Sequence, residues 1–238
     1  MISFNNFTSA GAPSSTYRTG AAVMNGSALY VLPWIATARP LTATSGASYT
    51  IGDKTARTAS TCYIRGLKEK IQIQTSSGVP WQWRRIVFRL KGDDLYQFSN
   101  ASFNWYQETS NGMVRNINDA LSQGTVGGPL NNLLWQGKQS VDWSSYFTAK
   151  VDNSLITLVY DKTRMICSGN QVGVMRNYNM WHPVNKNVVY NDDEAGDQTI
   201  GNFTSARGKA GAGDLYVVDI IGAGTGASSS DLLSFDPE

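Results

Sequence analysis

Two neighbouring segments alternate apolar and polar residues with the period of a β-strand. They are "CYIRGLKEKIQIQT" (Cys62 to Thr75) and "WQWRRIVFRLKG" (Trp81 to Gly92), separated by "SSGVP", whose Gly and Pro break the pattern. In the first, Leu67, Ile71 and Ile73 point one way and Lys68, Lys70, Gln72 and Gln74 the other. In the second, Arg84, Ile86, Phe88 and Leu90 share a core-side face, while Trp83, Arg85, Val87, Arg89 and Lys91 share the opposite one. Further strand patterns follow in "SLITLVYDKTRMICS", "RNYNMWHPVNKNVVYNDDEAGDQ" and "GDLYVVDIIGAG", so at least six strands are expected.

One strand departs from simple alternation. In "LYVVDII" both faces are apolar, Leu215, Val217 and Ile221 against Tyr216, Val218 and Ile220. Such a strand is covered on both sides, by the core and by a second element. A partner subunit is the expected second cover, which makes Tyr216, Val218 and Ile220 candidate subunit-interface residues.

Several strands with long, irregular connections and no alternation with helices indicate an all-β sandwich or jelly roll. No repeat of propeller or solenoid period is visible. Residues 1–40 are rich in Gly, Ala, Ser and Thr around one apolar run, "ALYVLPWI", and read as an extended N-terminal arm that packs only in part. The compact domain is expected over 41–238. One or two short helices are expected in the middle of the chain, which holds two candidates. In "GPLNNLLWQG" Pro129 suits the first turn, Leu130, Leu133 and Leu134 share a face, and Gly137 ends it. The weaker candidate is "NDALSQG", Asn118 to Gly124.

Composition supports strands and turns, with charged residues at only 16%. A formal charge of +2 from 20 basic and 18 acidic side chains means that any basic surface must be local. Cys62 and Cys167 lie in apolar strand-like runs, where an unpaired thiol behaves as a small hydrophobe. The N-terminus lacks the basic and apolar regions of a signal peptide, and no stretch is apolar for long enough to span a bilayer, so neither secretion nor a membrane partner is expected.

Three motifs suggest chemistry and have plainer readings. "IIGAGTGASSS" (Ile220 to Ser230) fits a dinucleotide fingerprint, but the chain ends at Glu238, without the helix, second strand and acidic residue such a unit needs, so it reads as a Gly-rich loop. His182 is the only histidine, which excludes a multi-histidine metal centre, and its setting "NMWHPVNK" reads as a packed strand position. Asp192, Asp193, Glu194 and Asp197 lack calcium-loop spacing and read as a solvated loop. No cofactor and no catalytic residue is expected.

The basic stripe is more informative. Lys68 and Lys70 on one strand, with Arg85, Arg89 and Lys91 beside Trp83 on the next, make a surface that holds phosphates by charge while the indole stacks on a base. An ordinary solvated sheet face, or cations that pair with acids from elsewhere in the fold, gives the same pattern. Arg84, on the other face, is expected to pair with a buried or interfacial carboxylate.

Three segments carry a family resemblance: "TCYIRGLKEKIQIQTSSGVPWQWRRIVFRLKG", "LVYDKTRMICSGNQVGVMRNYNMWHPVNKNVVYNDDEAGD" and "LLSFDPE". Together they resemble the capsid protein of genomoviruses, small circular single-stranded DNA viruses, over most of the chain from about Cys62. The segment "NMWHPVNKNVVYNDDEAGD" is also similar to the geminivirus coat protein. The resemblance implies a viral jelly-roll subunit that self-assembles into a small icosahedral shell around a single-stranded DNA genome, located in the virion and in the host nucleus. Members of the family usually begin with an Arg/Lys-rich arm and continue beyond the "SF.PE"-like stretch, features that this sequence does not show. Two other classes compete. One is a carbohydrate-binding β-sandwich, suggested by seven tryptophans and Asn/Asp-rich loops. The other is a β-sandwich glycoside hydrolase using a carboxylate pair such as Asp192 with Glu194.

Overall fold

A computed structural model describes residues 3–41, 56–100, 102–109, 112–123 and 125–238. The alternating segments form strands: β1 (Ser3–Phe7), β2 (Pro13–Thr19), β3 (Ala22–Asn25), β4 (Leu29–Ile35), β5 (Thr61–Thr75), β6 (Trp81–Leu90), β7 (Tyr106–Thr109), β8 (Gly112–Ile117), β9 (Thr157–Ile166), β10 (Met175–Val189), β11 (Asp193–Ala195), β12 (Gln198–Ile200), β13 (Asp214–Ala223) and β14 (Leu232–Pro237). Among the described residues a single α-helix, α1 (Gly127–Leu134), lies between β8 and β9. No helix among the described residues is long and apolar enough to cross a membrane.

Two four-stranded sheets make the body, in the orders β10-β5-β14-β3 and β4-β13-β6-β9. Every pairing within them is antiparallel. Counting only these eight strands, the first pairs with the eighth (β3 with β14) and the second with the seventh (β4 with β13). The third pairs with the sixth (β5 with β10) and the fourth with the fifth (β6 with β9). That nesting is a long antiparallel ribbon rolled into two facing sheets, a jelly roll. The all-β, jelly-roll expectation is met.

The N-terminal segment differs from its expected role. Residues 3–35 supply four strands, and β3 and β4 are outer strands of the two principal sheets. Met24, Tyr30, Leu32 and Ile35 are buried, so this part of the expected arm belongs to the core. The alternation in "ALYVLPWI" has both faces covered, and Pro33 is tolerated because β4 is paired on one side only.

Residues 91–156, between β6 and β9, form a large insertion containing β7, β8 and α1. Its β8 runs parallel to β1, giving a third sheet in the order β2-β1-β8-β7. Helix α1 forms where its leucines predict, with Leu130, Leu133 and Leu134 buried. The second helix expected at Asn118 to Gly124 does not form in residues 118–123, the described part of that segment. There the Asp119 carboxylate accepts hydrogen bonds from the backbone N–H groups of Leu121 and Ser122, which holds a turn in place.

The insertion explains the doubly apolar β13. Tyr216, Val218 and Ile220 are fully buried in one cluster with Trp105, Leu130, Leu134, Trp135 and Tyr146. The Tyr216 ring stacks on Phe88 with 5.2 Å between centroids and meets Trp105 edge-on at 6.1 Å. The second cover is this chain's own insertion. The assignment of Tyr216, Val218 and Ile220 to a subunit contact is therefore corrected.

Candidate nucleic-acid interface

The six residues expected on one basic stripe do not share a surface. Although β5 and β6 are consecutive, they belong to opposite sheets, so side chains of matching parity do not share a plane. Lys68 and Lys70 are exposed on the outer face of β5, as the alternation predicts. Trp83 and Arg85 point into the space between the sheets and are 0% and 1% exposed, which removes them from any surface that a polymer touches. Arg89 is half-buried at the end of β6, and Lys91 Nζ donates to the Lys209 carbonyl at 2.9 Å. For Trp83 and Arg85 the nucleic-acid assignment is corrected, and the continuous stripe does not exist.

Arg85 instead anchors a layer of charge across the sandwich. It donates from Nε and Nη2 to the two Asp219 oxygens at 2.7 and 2.8 Å, and from Nη1 to Glu69 Oε2 at 2.7 Å. Arg115 of β8 reaches Glu69 Oε1 at 2.9 Å and Asp219 Oδ2 at 3.1 Å. Trp83 Nε1 donates to Asp219 Oδ1 at 2.8 Å. Two guanidiniums and two carboxylates thus neutralise one another between two apolar clusters. One cluster contains Trp81, Ile71, Phe235 and Ile221, the other Trp34, Val87, Val184 and Val217. Burial alone opposes ionisation of Asp219, but Arg85 and Arg115 hold its carboxyl below the usual range. Burial likewise lowers the Arg115 pKa, whereas Asp219 and Glu69 outweigh burial at Arg85 and raise it.

Arg84 faces the insertion and finds a carboxylate, but that partner, Asp161 of the outer strand β9, is partly exposed and not buried as expected. Its Nε and Nη2 bind both Asp161 oxygens at 2.8 and 2.7 Å, and Nη1 donates to the carbonyls of Tyr146 and Ala149.

The surface that remains available is the outer face of the β5–β10 pair. Trp181 of β10 is register partner to Lys68 and is 49% exposed. Its indole lies over Gly66, where an added Cβ would stand 2.7 Å from Cζ2 and Cη2. Glycine at 66 is thus what lets the ring lie close to the β5 backbone. Tyr63, 65% exposed, and the exposed Arg65 extend the surface along β5. Among the described residues, Arg65, Lys68 and Lys70 reach no carboxylate within ion-pair distance. Toward β14 the face becomes acidic, because a shallow depression there gathers Lys70, Gln72, Asn177 and Asn179 with Asp236 and Glu238. Burial, then the proximity of Glu238, raises the Asp236 pKa. The end around Lys68 and Trp181 therefore combines exposed aromatic rings with unpaired cations, a chemistry suited to stacking bases and holding phosphates.

Trp181, Tyr63 and Arg65 went unrecognised in the sequence. A signal existed, since the alternation of "NYNMWHPV" opposes Trp181 to Met180 and His182, but which parity faces outward depends on the sheet pairing. Glu69 and Asp219 carried a clearer signal, each being a lone acid on an otherwise apolar strand face.

The remaining candidates occupy structural positions. His182 is packed at 2% exposure. Asp192 is paired with the buried Arg57, which occupies one member of the carboxylate pair a hydrolase would use. Among the described residues no group of three or more His, Cys, Asp or Glu side chains is placed to hold a metal ion. The Gly-rich stretch is the β13–β14 connection, with Gly224 N–H bonded to the Pro80 carbonyl. Both cysteines are unpaired and half-buried. Compared with protein-family models and with curated proteins, the chain matches none.

Proposed function

We propose that this chain is a capsid subunit that self-associates into a closed shell around single-stranded DNA. The observation that carries the reading is the eight-stranded jelly roll with its large β6–β9 insertion, coming from a chain whose "TCYIRGLKEK", "NMWHPVNKNVVYNDDEAGD" and "LLSFDPE" segments resemble genomovirus capsid proteins. The Trp181–Lys68 face supports the nucleic-acid part of the reading, and Lys68, Lys70, Arg65 and Tyr63 are the residues assigned to it.

Subunit contacts in this reading fall to surfaces other than β13. Particle sizing combined with ultraviolet absorbance tests the whole proposal. Large uniform particles that carry nucleic acid are expected. A monomer or dimer across pH and salt overturns it. Exposed Trp181 and Tyr63 on one sheet face also suit a sugar platform, so a monomer whose tryptophan fluorescence shifts with oligosaccharide favours the carbohydrate-binding reading.

A further inference from the structure

His182 sits against the charged layer with no means of carrying charge. It lies on β10, and its Nε2 is buried without a hydrogen-bond partner. Several strands face it. Glu69 comes from β5, Arg85 from β6 and Asp219 from β13. From β9 comes the Tyr160 ring, 5.1 Å away and edge-on, with Lys162 and Arg164 further along the same strand face. Arg115 of β8 lies behind Glu69.

The oxygens that would stabilise an imidazolium are already engaged. Glu69 gives one oxygen to Arg85 and the other to Arg115. Asp219 gives one oxygen to Arg85 and Trp83, and the other to Arg85 and Arg115. The layer is electroneutral as it stands, so a proton on His182 would add an uncompensated charge in the interior beside Arg85.

The strand that carries His182 is held from one side only and has an irregularity beside the histidine. β10 is an outer strand, paired with β5 alone. Immediately after His182 come Pro183, which donates no ladder hydrogen bond, and a register shift before Lys186 with Asn185 at φ 48°.

We propose that His182 is an acid-sensitive latch: the neutral ring closes β10 over the charged layer, and protonation in mild acid releases this strand. The device is independent of the functional reading above. Burial, with Arg85 adding to it, lowers the His182 pKa below 6.5 despite Glu69 and Asp219, which is the direction the latch requires. The sign follows from linkage. A histidine held neutral in the closed state leaves stability intact above its ordinary pKa, and stability is lost as pH falls from that value toward the closed-state pKa. Opening should become more favourable at pH 5.5 than at pH 7.5, by up to about tenfold for an open-state pKa of about 6.5, the limit being reached when the closed state takes up no proton over that range.

Amide hydrogen exchange in the full chain, corrected for intrinsic rates, tests this. The β10 amides are expected to lose protection, by up to about tenfold, between pH 7.5 and 5.5, and His182→Phe is expected to abolish that loss. Persistence of the loss in His182→Phe overturns the proposal. Since that variant need not fold, the wild-type imidazole is titrated by NMR as well, where the single histidine gives an unambiguous signal. A folded-state pKa at or above 6.5 equally overturns the latch.

Discussion

Asp219 of β13 lies directly opposite Arg85 of β6 and holds its guanidinium with both carboxylate oxygens, at 2.7 and 2.8 Å. The pair is 0% and 2% exposed at its side chains, and Glu69 and Arg115 complete the charge balance from two further sheets' strands. Removing one partner strands the others without solvent. Arg85→Ala is expected to destabilise the domain by about 3–5 kcal/mol, measured by denaturant unfolding. Arg85→Met with Asp219→Leu should cost less than the sum of the single changes, since neither partner is then left alone.

Acid should attack the same pair at lower pH than it attacks His182. The Asp219 carboxyl is held below its ordinary value of 3.8, so its contribution is present above that pH and is lost as pH falls through the lowered pKa. Stability measured from pH 5 to pH 2 should therefore fall steeply in the wild type and less steeply in Asp219→Asn, which starts from a lower plateau. Parallel curves for the two proteins would show that Asp219 is not a source of the acid sensitivity.

Tyr216 should behave as a core residue. Its ring is fully buried between Phe88 and Trp105, so Tyr216→Ala should cost about 3–5 kcal/mol in the unfolding of the chain. Unchanged stability of the Tyr216→Ala chain would overturn its placement in the core.

Trp181 and Lys68 should behave as surface residues. Trp181→Ala and Lys68→Gln are expected to change stability by only about 0.5 kcal/mol while weakening binding of single-stranded DNA oligonucleotides. Loss of the stacking ring should cost about 1–3 kcal/mol of binding. Neutralising Lys68 should flatten the slope of log affinity against log salt by about 0.7. Arg89→Gln, on the other sheet, is the control expected to leave that slope unchanged.

Much of the architecture was legible because a strand writes its faces into the chain with period two. Leu67, Ile71 and Ile73 are on the inner face of β5, and Lys68, Lys70, Gln72 and Gln74 are on its outer face, as the pattern indicates. The leucines of α1 and the carboxylate partner required by Arg84 were legible for similarly local reasons.

Period two does not say which strand lies beside which, and the candidate site turned on that. Consecutive strands suggest sheet neighbours, whereas the roll sends β5 and β6 to opposite sheets and pairs β5 with β10, about a hundred residues away in the chain. Lys68 consequently meets Trp181 and not Trp83. The same nesting places Glu69 opposite Arg85 in the interior, so a cation on a face with no acid of its own is neutralised by Glu69 of the preceding strand and by Asp219 of the distant β13. Alone, the sequence determined the strand class, the faces and the need of each buried charge for a partner, all of which are properties of one segment. Only the tertiary structure decided which partner each received and which basic residues remained in water, because pairing between the sheets is a long-range choice that no local pattern encodes.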